Sequence, residues 1–212
     1  MARTLSASFF ARDPRRVARE LLGKLLMRQR GRNLLIGRIV EVEAYLDSGD
    51  AAAHAAAGIT QRNRVLFGPP GRAYVYFIYG NHYCLNVSCQ PAGEAGCVLI
   101  RALEPLAGLA QMARARSLHL GDARFESPAP PTILRQLTSG PGRLCEAFGI
   151  TRARDNGGTL TSHSSRLRLA DDGYRPPHIL TTPRIGIRKD AGKRLRFVIA
   201  GNPFVSGKWL AQ

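Results

Sequence analysis

The chain of 212 residues has few cysteines, few acidic residues and no long apolar runs. Its four cysteines show no CxxC spacing and three lie in apolar, strand-like segments, so we expect buried, reduced thiols. No apolar run has the length of a transmembrane helix, and the N-terminal segment lacks the apolar stretch of a signal peptide. These absences predict a soluble, cytoplasmic protein without a membrane partner.

Acidic residues are outnumbered by basic ones, 15 against 31, and the formal net charge is +16. Such a surplus favours a polyanionic partner, because each phosphate that a cation neutralises releases counterions. Nearly all the cations are arginine, whose planar fork matches phosphate oxygens. Nucleic acid is therefore the predicted partner, and a basic protein of the membrane surface or the ribosome is the alternative.

Residue patterns predict one α+β domain over residues 1–212, with flanking helices on a mainly antiparallel curved sheet and a protruding β-hairpin. Asp13 and Pro14 are typical of a helix start, and apolar spacing then predicts an amphipathic helix that ends near Met27. Other predicted helices are 106–118 and 142–148, and the predicted strands are 34–45, 72–79, 83–89, 97–103, 167–169 and 195–200.

Two carboxylates lie close together on the predicted strand 34–45. Strand alternation places Glu41, Glu43 and Tyr45 on one face. One carboxylate in such a pair can take a proton from a water while the other orients a neighbouring group. The alternative is an exposed strand face whose carboxylates pair with nearby arginines.

Aromatic residues are concentrated in the same region, since five of the six tyrosines fall between Tyr45 and Tyr83. Aromatic side chains among basic ones suit base stacking, although tyrosine is also a good strand former. His54 lies near Asp50 but has no second histidine nearby, so its spacing alone indicates a structural histidine rather than a metal ligand.

A series of motifs covers most of the chain in a fixed order. They are EVEAY at 41–45, AAAH at 51–54, RNR at 62–64, YVYFIYGNHYCLNVS at 74–88, VLIRALEP at 98–105, SGPGRL at 139–144, RIGI at 184–187 and LRFVIAGNPFVSG at 195–207. In these motifs the chain resembles the alkyladenine (3-methyladenine) DNA glycosylase family. The segment 152–183 resembles the family least.

The resemblance implies a monofunctional glycosylase of base excision repair. Such an enzyme flips alkylated or deaminated purines (3-methyladenine, 7-methylguanine, hypoxanthine or ethenoadenine) from double-stranded DNA and hydrolyses the N-glycosidic bond. Glu43 matches the general base that deprotonates the attacking water, and Arg101 matches a residue beside that water and the backbone phosphate. We expect a monomer that needs no metal and no cofactor.

The resemblance also implies a pocket for the flipped base. Tyr45, His54 and Tyr76 match its aromatic walls, and Asn86 matches the residue that clashes with the exocyclic amine of normal guanine. Tyr79 matches the wedge that enters the minor groove and fills the gap in the base stack. Because the wall residue Tyr76 and the excluding residue Asn86 should share a pocket, we expect either a three-residue hairpin loop, 80–82, that pairs Tyr76 with Asn86, or a bulge.

Two other classes of function stay open at this point. Glu41, Glu43 and Asp50 could serve a metal-dependent nuclease, or the chain could be a non-catalytic basic nucleic-acid-binding protein. A glycosylase that is also a lyase needs an amine nucleophile, and the lysines lie far from the EVEAY motif in the sequence.

Overall fold

The computed structural model describes residues 2–118 and 131–207. Within these ranges the chain forms one mainly antiparallel open sheet of nine strands with flanking helices, which confirms the predicted α+β class. None of the helices in the described ranges is long and apolar enough to span a membrane. The strands are β1 (Arg3–Thr4), β2 (Leu25–Arg30), β3 (Asn33–Tyr45), β4 (Ala73–Ile78), β5 (His82–Cys89), β6 (Gly96–Ala107), β7 (Leu167–Asp171), β8 (Ile179–Thr182) and β9 (Arg196–Ile199). The helices are α1 (Ala7–Phe10), α2 (Pro14–Leu21), α3 (Leu109–Ala115), α4 (Pro131–Thr138), α5 (Pro141–Phe148) and α6 (Arg152–Asp155), with 3₁₀ turns at His54–Ala57 and Arg64–Phe67.

Strand β3 is the central strand of the sheet. The strand order is β1-β7-β2-β3-β6-β5-β4, and β9, which carries β8, also pairs with β3. β6 pairs along one side of β3, whereas β2 covers the first half of the other side and β9 covers Glu41 to Glu43. Residues 41–43 therefore have hydrogen-bonded neighbours on both sides, so the carboxylates stand on a rigid part of the sheet.

Helix α2 begins as predicted, with the Asp13 side chain accepting a hydrogen bond from the Arg15 amide. The prediction that this helix continues to Met27 is wrong, because α2 ends at Leu21 and residues 25–30 form β2. Gly23 makes the turn with φ +84°, and a Cβ there would meet the Tyr174 ring at 2.9 Å. A residue other than glycine would therefore strain this turn.

Other predicted elements differ in their bounds. The helix predicted at 106–118 is shorter, because pairing with β3 extends β6 to Ala107 and α3 occupies only Leu109–Ala115. The strand predicted at 34–45 and the helix predicted at 142–148 are each confirmed to within one residue. All four cysteines are free and buried, as expected.

The hairpin of β4 and β5 has a three-residue loop, but the predicted register is wrong. Ile78 pairs with His82, so the loop is 79–81 rather than 80–82. Tyr76 lies opposite Cys84, and Asn86 lies opposite Tyr74. Tyr79 enters the loop with φ +55°, followed by Gly80 with φ +72°, and this left-handed pair shifts the turn by one residue.

Candidate active site

Glu41 is a fully buried carboxylate that joins three parts of the sheet. It accepts hydrogen bonds from Arg101 Nε on β6 (2.8 Å), Arg196 Nε on β9 (2.7 Å) and both the amide (2.6 Å) and hydroxyl (3.0 Å) of Ser206. Burial alone would raise the pKa of Glu41, but Arg101 and Arg196 outweigh it and hold this pKa below its usual value. With four donors on a group that accepts about four hydrogen bonds, Glu41 is a structural anchor.

Glu43 is equally buried but has fewer partners. Its Oε1 accepts the Ile185 amide (2.8 Å) and lies 3.3 Å from Arg101 Nη1, and its Oε2 accepts the Tyr45 hydroxyl (3.0 Å). Burial and the Glu43 carboxylate raise the pKa of Tyr45, so the phenol stays protonated and donates. Among the described contacts, Glu43 thus keeps the acceptor capacity that Glu41 has used.

The structure brings Glu41, Glu43, Tyr45 and Arg101 together as the alternation of β3 predicts. Arg101 lies between the two carboxylates with its side chain 9% exposed. Burial lowers the pKa of Arg101, but the carboxylates of Glu43 and Glu41 raise it by more. The pKa of Arg101 therefore lies above its usual value, and the guanidinium stays charged. The arrangement is a buried carboxylate of fixed orientation beside a fixed cation.

Aromatic rings lie beside this carboxylate. Tyr45 and Tyr76 pack against one small apolar cluster that includes Tyr74, and the rings of His54 and Tyr76 are 4.6 Å apart in an edge-to-face arrangement. Burial, with the nearby Arg62, lowers the pKa of His54, so its imidazole is neutral at neutral pH. The predicted wall residues are therefore brought together.

Tyr74, which the sequence motifs did not mark as a site residue, holds His54 in place. Its hydroxyl is 2.8 Å from His54 Nδ1, and the residue is only 1% exposed. The position could have been found from alternation, because Tyr74 and Tyr76 share one face of β4. Since Nδ1 is engaged, His54 has only Nε2 with which to contact a ligand.

Asn86 lies beside the aromatic cluster, and two neighbouring residues form hydrogen bonds with its side-chain amide. Its Nδ2 donates to the Tyr74 carbonyl (3.2 Å), and its Oδ1 accepts a weak hydrogen bond from Cys97 Sγ (3.7 Å). The residue is 2% exposed. Asn86 and Tyr76 thus lie on one face of the β4–β5 hairpin despite the different register, because Asn86 is two residues from the partner of Tyr76.

A buried ion pair that no local sequence pattern indicates lies behind Tyr45. Arg184 donates to both oxygens of Asp50 at 2.6 Å and to the Ala44 carbonyl at 3.1 Å, and both charged side chains are fully buried. The guanidinium lies 4.5 Å from the centre of the Tyr45 ring. Asp50 also accepts the backbone amides of Leu46 and Ala52, so it shapes the loop that leads to His54. The sequence offered Asp50 only as a candidate metal ligand and Arg184 only as part of RIGI.

Tyr79 stands at the tip of the hairpin and is 78% exposed. A Cβ placed on Gly186 would lie 4.0 Å from the Tyr79 hydroxyl, so the hairpin tip lies close to the loop around Gly186. The same loop supplies the Ile185 amide that donates to Glu43. Ile185 and Phe77 are further exposed apolar residues. An exposed aromatic tip beside a buried carboxylate is an arrangement that can insert into a stack of planar rings.

The carboxylates offered for a metal-dependent nuclease do not converge. Glu41 binds two arginines and Asp50 binds Arg184, so only Glu43 keeps capacity. In the described residues, no three His, Cys, Asp or Glu side chains form a set that could hold a metal ion.

Comparisons with known proteins all match one family. A family model described as "Methylpurine-DNA glycosylase (MPG)" matches residues 8–203. A protein of Koribacter versatilis is 59% identical over 204 residues, which cover 96% of this chain and 93% of that protein. A protein of Burkholderia lata is 45% identical over 204 residues, covering 96% and 91%, and one of Methanoculleus marisnigri is 45% identical over 205 residues, covering 96% and 98%. All three carry the name "Putative 3-methyladenine DNA glycosylase".

Proposed function

Because this chain belongs to the methylpurine-DNA glycosylase family and hydrolyses N-glycosyl bonds in DNA, we propose that it releases damaged purines by means of a water activated by Glu43. The observation that carries this assignment is the difference between the two buried carboxylates. Glu41 accepts four hydrogen bonds, whereas Glu43 accepts two and keeps acceptor capacity for a water.

The chemistry follows from the charges around Glu43. The bond between the sugar C1′ and the purine nitrogen breaks with its electron pair going to the base, which leaves a cation-like sugar. Glu43 stabilises that positive charge, and its burial strengthens the interaction. Water adds its oxygen to C1′ while Glu43 takes the proton, and Arg101 and Tyr45 keep the carboxylate aimed at the water.

Damaged purines suit the aromatic pocket. An alkylated ring nitrogen makes the base cationic, and aromatic faces such as those of Tyr45 and Tyr76 attract a cation. A neutral His54 adds no repulsion to such a base, and its Nε2 is available to the base edge. The aromatic cluster therefore favours cationic bases such as 3-methyladenine and 7-methylguanine by charge.

The proposed partner is double-stranded DNA, bound by a monomer without a cofactor. A net charge of +16 supports this partner, since phosphate contacts supply most of the affinity for a duplex. Flipping a base costs a few kcal/mol, and the exposed Tyr79 offsets part of that cost by filling the vacated space.

The test of this function uses duplexes that each carry one lesion. Incubation followed by hot alkali should cleave the damaged strand at the lesion, and the same products should form in EDTA. Strand cleavage before alkali that EDTA abolishes would show a nuclease instead. A covalent adduct trapped by borohydride would show a lyase.

Tyr79→Ser is expected to shorten the lifetime of the flipped complex, because serine cannot fill the gap in the base stack. Stopped-flow fluorescence of an ethenoadenine duplex measures the rate at which the base returns to the stack. Phe77→Ser is the matched control, since Phe77 is exposed on the same hairpin but lies below the tip. Equal unflipping rates in wild type and Tyr79→Ser would assign the wedge to another residue.

Asn86→Ser is expected to relax the exclusion of normal guanine by about ten- to two-hundred-fold in relative rate, the size of one steric or polar mismatch. The reason is that Asn86 lies against the pocket wall, where its amide would meet the C2 amine of guanine. Adenine should gain much less because it has no amine at that position. The measurement is the single-turnover release of guanine and hypoxanthine from matched duplexes.

A second variant separates the gate from a structural effect, because the Asn86 amide also binds the Tyr74 carbonyl. Cys97→Ala disturbs the same cluster through the Asn86 Oδ1 contact and keeps the amide. Melting temperatures are recorded for both variants. If Asn86→Ser folds stably and guanine release stays undetectable, discrimination resides in the aromatic walls.

A further inference from the structure

A cavity lies at the opposite end of β3 from Glu43. It has a volume of about 540 Å³, within the usual range for small-molecule sites, and is lined by the β2–β3 turn, α3, Arg154 of α6 and Arg166 just before β7. Asn33 lines this cavity and Glu43 lies ten residues further along the same strand. At about 3.3 Å per residue this separation is roughly 33 Å, so the cavity is separate from the base pocket.

Arginine dominates the lining of this cavity, and no Asp or Glu is part of the described lining. An acidic residue near it, Asp155, is buried and already paired with Arg28 at 2.5 Å. The four guanidinium groups other than that of Arg28 have no carboxylate partner among the described residues, and a bound anion would relieve their mutual repulsion. The arginines are Arg28, Arg30, Arg114, Arg154 and Arg166.

Two of the five arginines have structural partners. Arg28 binds Asp155, and Arg154 donates to the Gly149 carbonyl at the end of α5 (2.6 Å), where a cation also suits the helix dipole. Arg30, Arg114 and Arg166 are exposed, and their side chains make no hydrogen bond to another described residue. The Arg30 guanidinium also lies beside Gly149, so stabilisation of α5 fails to account only for Arg114 and Arg166.

We propose that this cavity binds phosphate groups of a nucleotide or of a nucleic-acid backbone, as a second anion site remote from the base pocket. Guanidinium forks match pairs of phosphate oxygens and form strong charge-assisted hydrogen bonds with them. A volume of about 540 Å³ admits more than one phosphate group, and arginines on several sides of the cavity can contact them together.

The test compares two double variants that lower the net charge equally. Arg114→Glu/Arg166→Glu changes exposed arginines of the cavity and leaves Arg28 and Arg154 intact. Arg15→Glu/Arg16→Glu changes exposed arginines in the first turn of α2, where glutamate is compatible with the helix dipole. The probes are pyrophosphate and an undamaged short duplex, titrated by calorimetry at low salt, with base release from a lesion duplex measured in parallel.

We expect the dissociation constant of pyrophosphate to rise at least about tenfold in the cavity variant and less than about twofold in the α2 variant. If the duplex competes with pyrophosphate, and the cavity variant binds the duplex with a smaller salt dependence, the phosphates are those of nucleic acid. If the duplex leaves pyrophosphate bound, the site is one for free nucleotides.

Two results would overturn the proposal: wild-type protein that does not bind pyrophosphate, or equal losses in the two double variants. Base release is expected to be unchanged in both variants. This readout keeps a failure of the second site distinct from a failure of the proposed glycosylase mechanism.

Discussion

Glu43→Gln is expected to reduce base release by at least about 10²–10⁴-fold, the usual contribution of a general base. The amide cannot take the proton of the water and no longer supplies a negative charge to the sugar cation. Affinity for lesion DNA should stay within a few-fold, because Glu43 is buried and a carboxylate makes no attractive contact with phosphate. Single-turnover release from a hypoxanthine duplex, with equilibrium binding to the same duplex, measures both quantities.

Glu41→Gln is the matched control on the same strand. Glu41 binds Arg101 and Arg196, so its neutralisation leaves the buried Arg196 without a carboxylate and Arg101 with Glu43 alone. It should therefore lower the melting temperature more than Glu43→Gln does. Near-normal turnover in Glu43→Gln, together with inactivity of a folded Glu41→Gln, would transfer the role of base to Glu41.

Asp50→Ala is expected to lower the free energy of unfolding by about 3–5 kcal/mol, because it leaves the fully buried Arg184 without a counter-charge. Urea titration of the wild type and of Asp50→Ala measures the difference in the free energy of unfolding. Glu20→Ala is the control, since Glu20 pairs with Arg12 and Arg16 at the surface and its loss should cost only about 0–1 kcal/mol.

Asp50→Ala/Arg184→Met separates stability from activity. Removing both charges should restore much of the lost stability, because an apolar pair of similar size does not suffer the cost of a buried charge. Base release should stay low in this variant, because Tyr45 loses the guanidinium behind its ring and the loop before His54 loses the Asp50 acceptors. A double variant no more stable than Asp50→Ala would show that the unpaired charge is not the cause.

Local patterns were sufficient for the central strands of the fold. The β-branched alternation before Tyr45 predicted β3, and the turn residues after Tyr79 predicted the hairpin to within one position. Strand β2 was missed because Leu25 and Leu26 also continue the helical spacing of α2. Residues 25–30 form a strand because they pair with β3 after a turn at Gly23. Neither the pairing nor the turn can be inferred from the local spacing of apolar residues.

The same limit applies to the site. Alternation alone placed Glu43 and Tyr45 on one face, and their hydrogen bond spans two residues. Asp50 and Arg184 are 134 positions apart, and no local spacing indicates that they meet in a dry interior. The residues proposed to act on the reacting atoms stand in short motifs, whereas the groups that orient them come from distant segments.

Glu41 reaches its final contacts long after it has itself been synthesised. Arg101, Arg196 and Ser206 lie 60, 155 and 165 positions after Glu41 in the chain. Such remote partners give a high contact order, which slows folding, because long loops must close before these contacts form. A nascent chain still lacking β9 leaves the Glu41 carboxylate without two of its three partner residues. The ribosome must therefore release the chain through Ser206 before the strand that carries Glu41 and Glu43 reaches its final geometry.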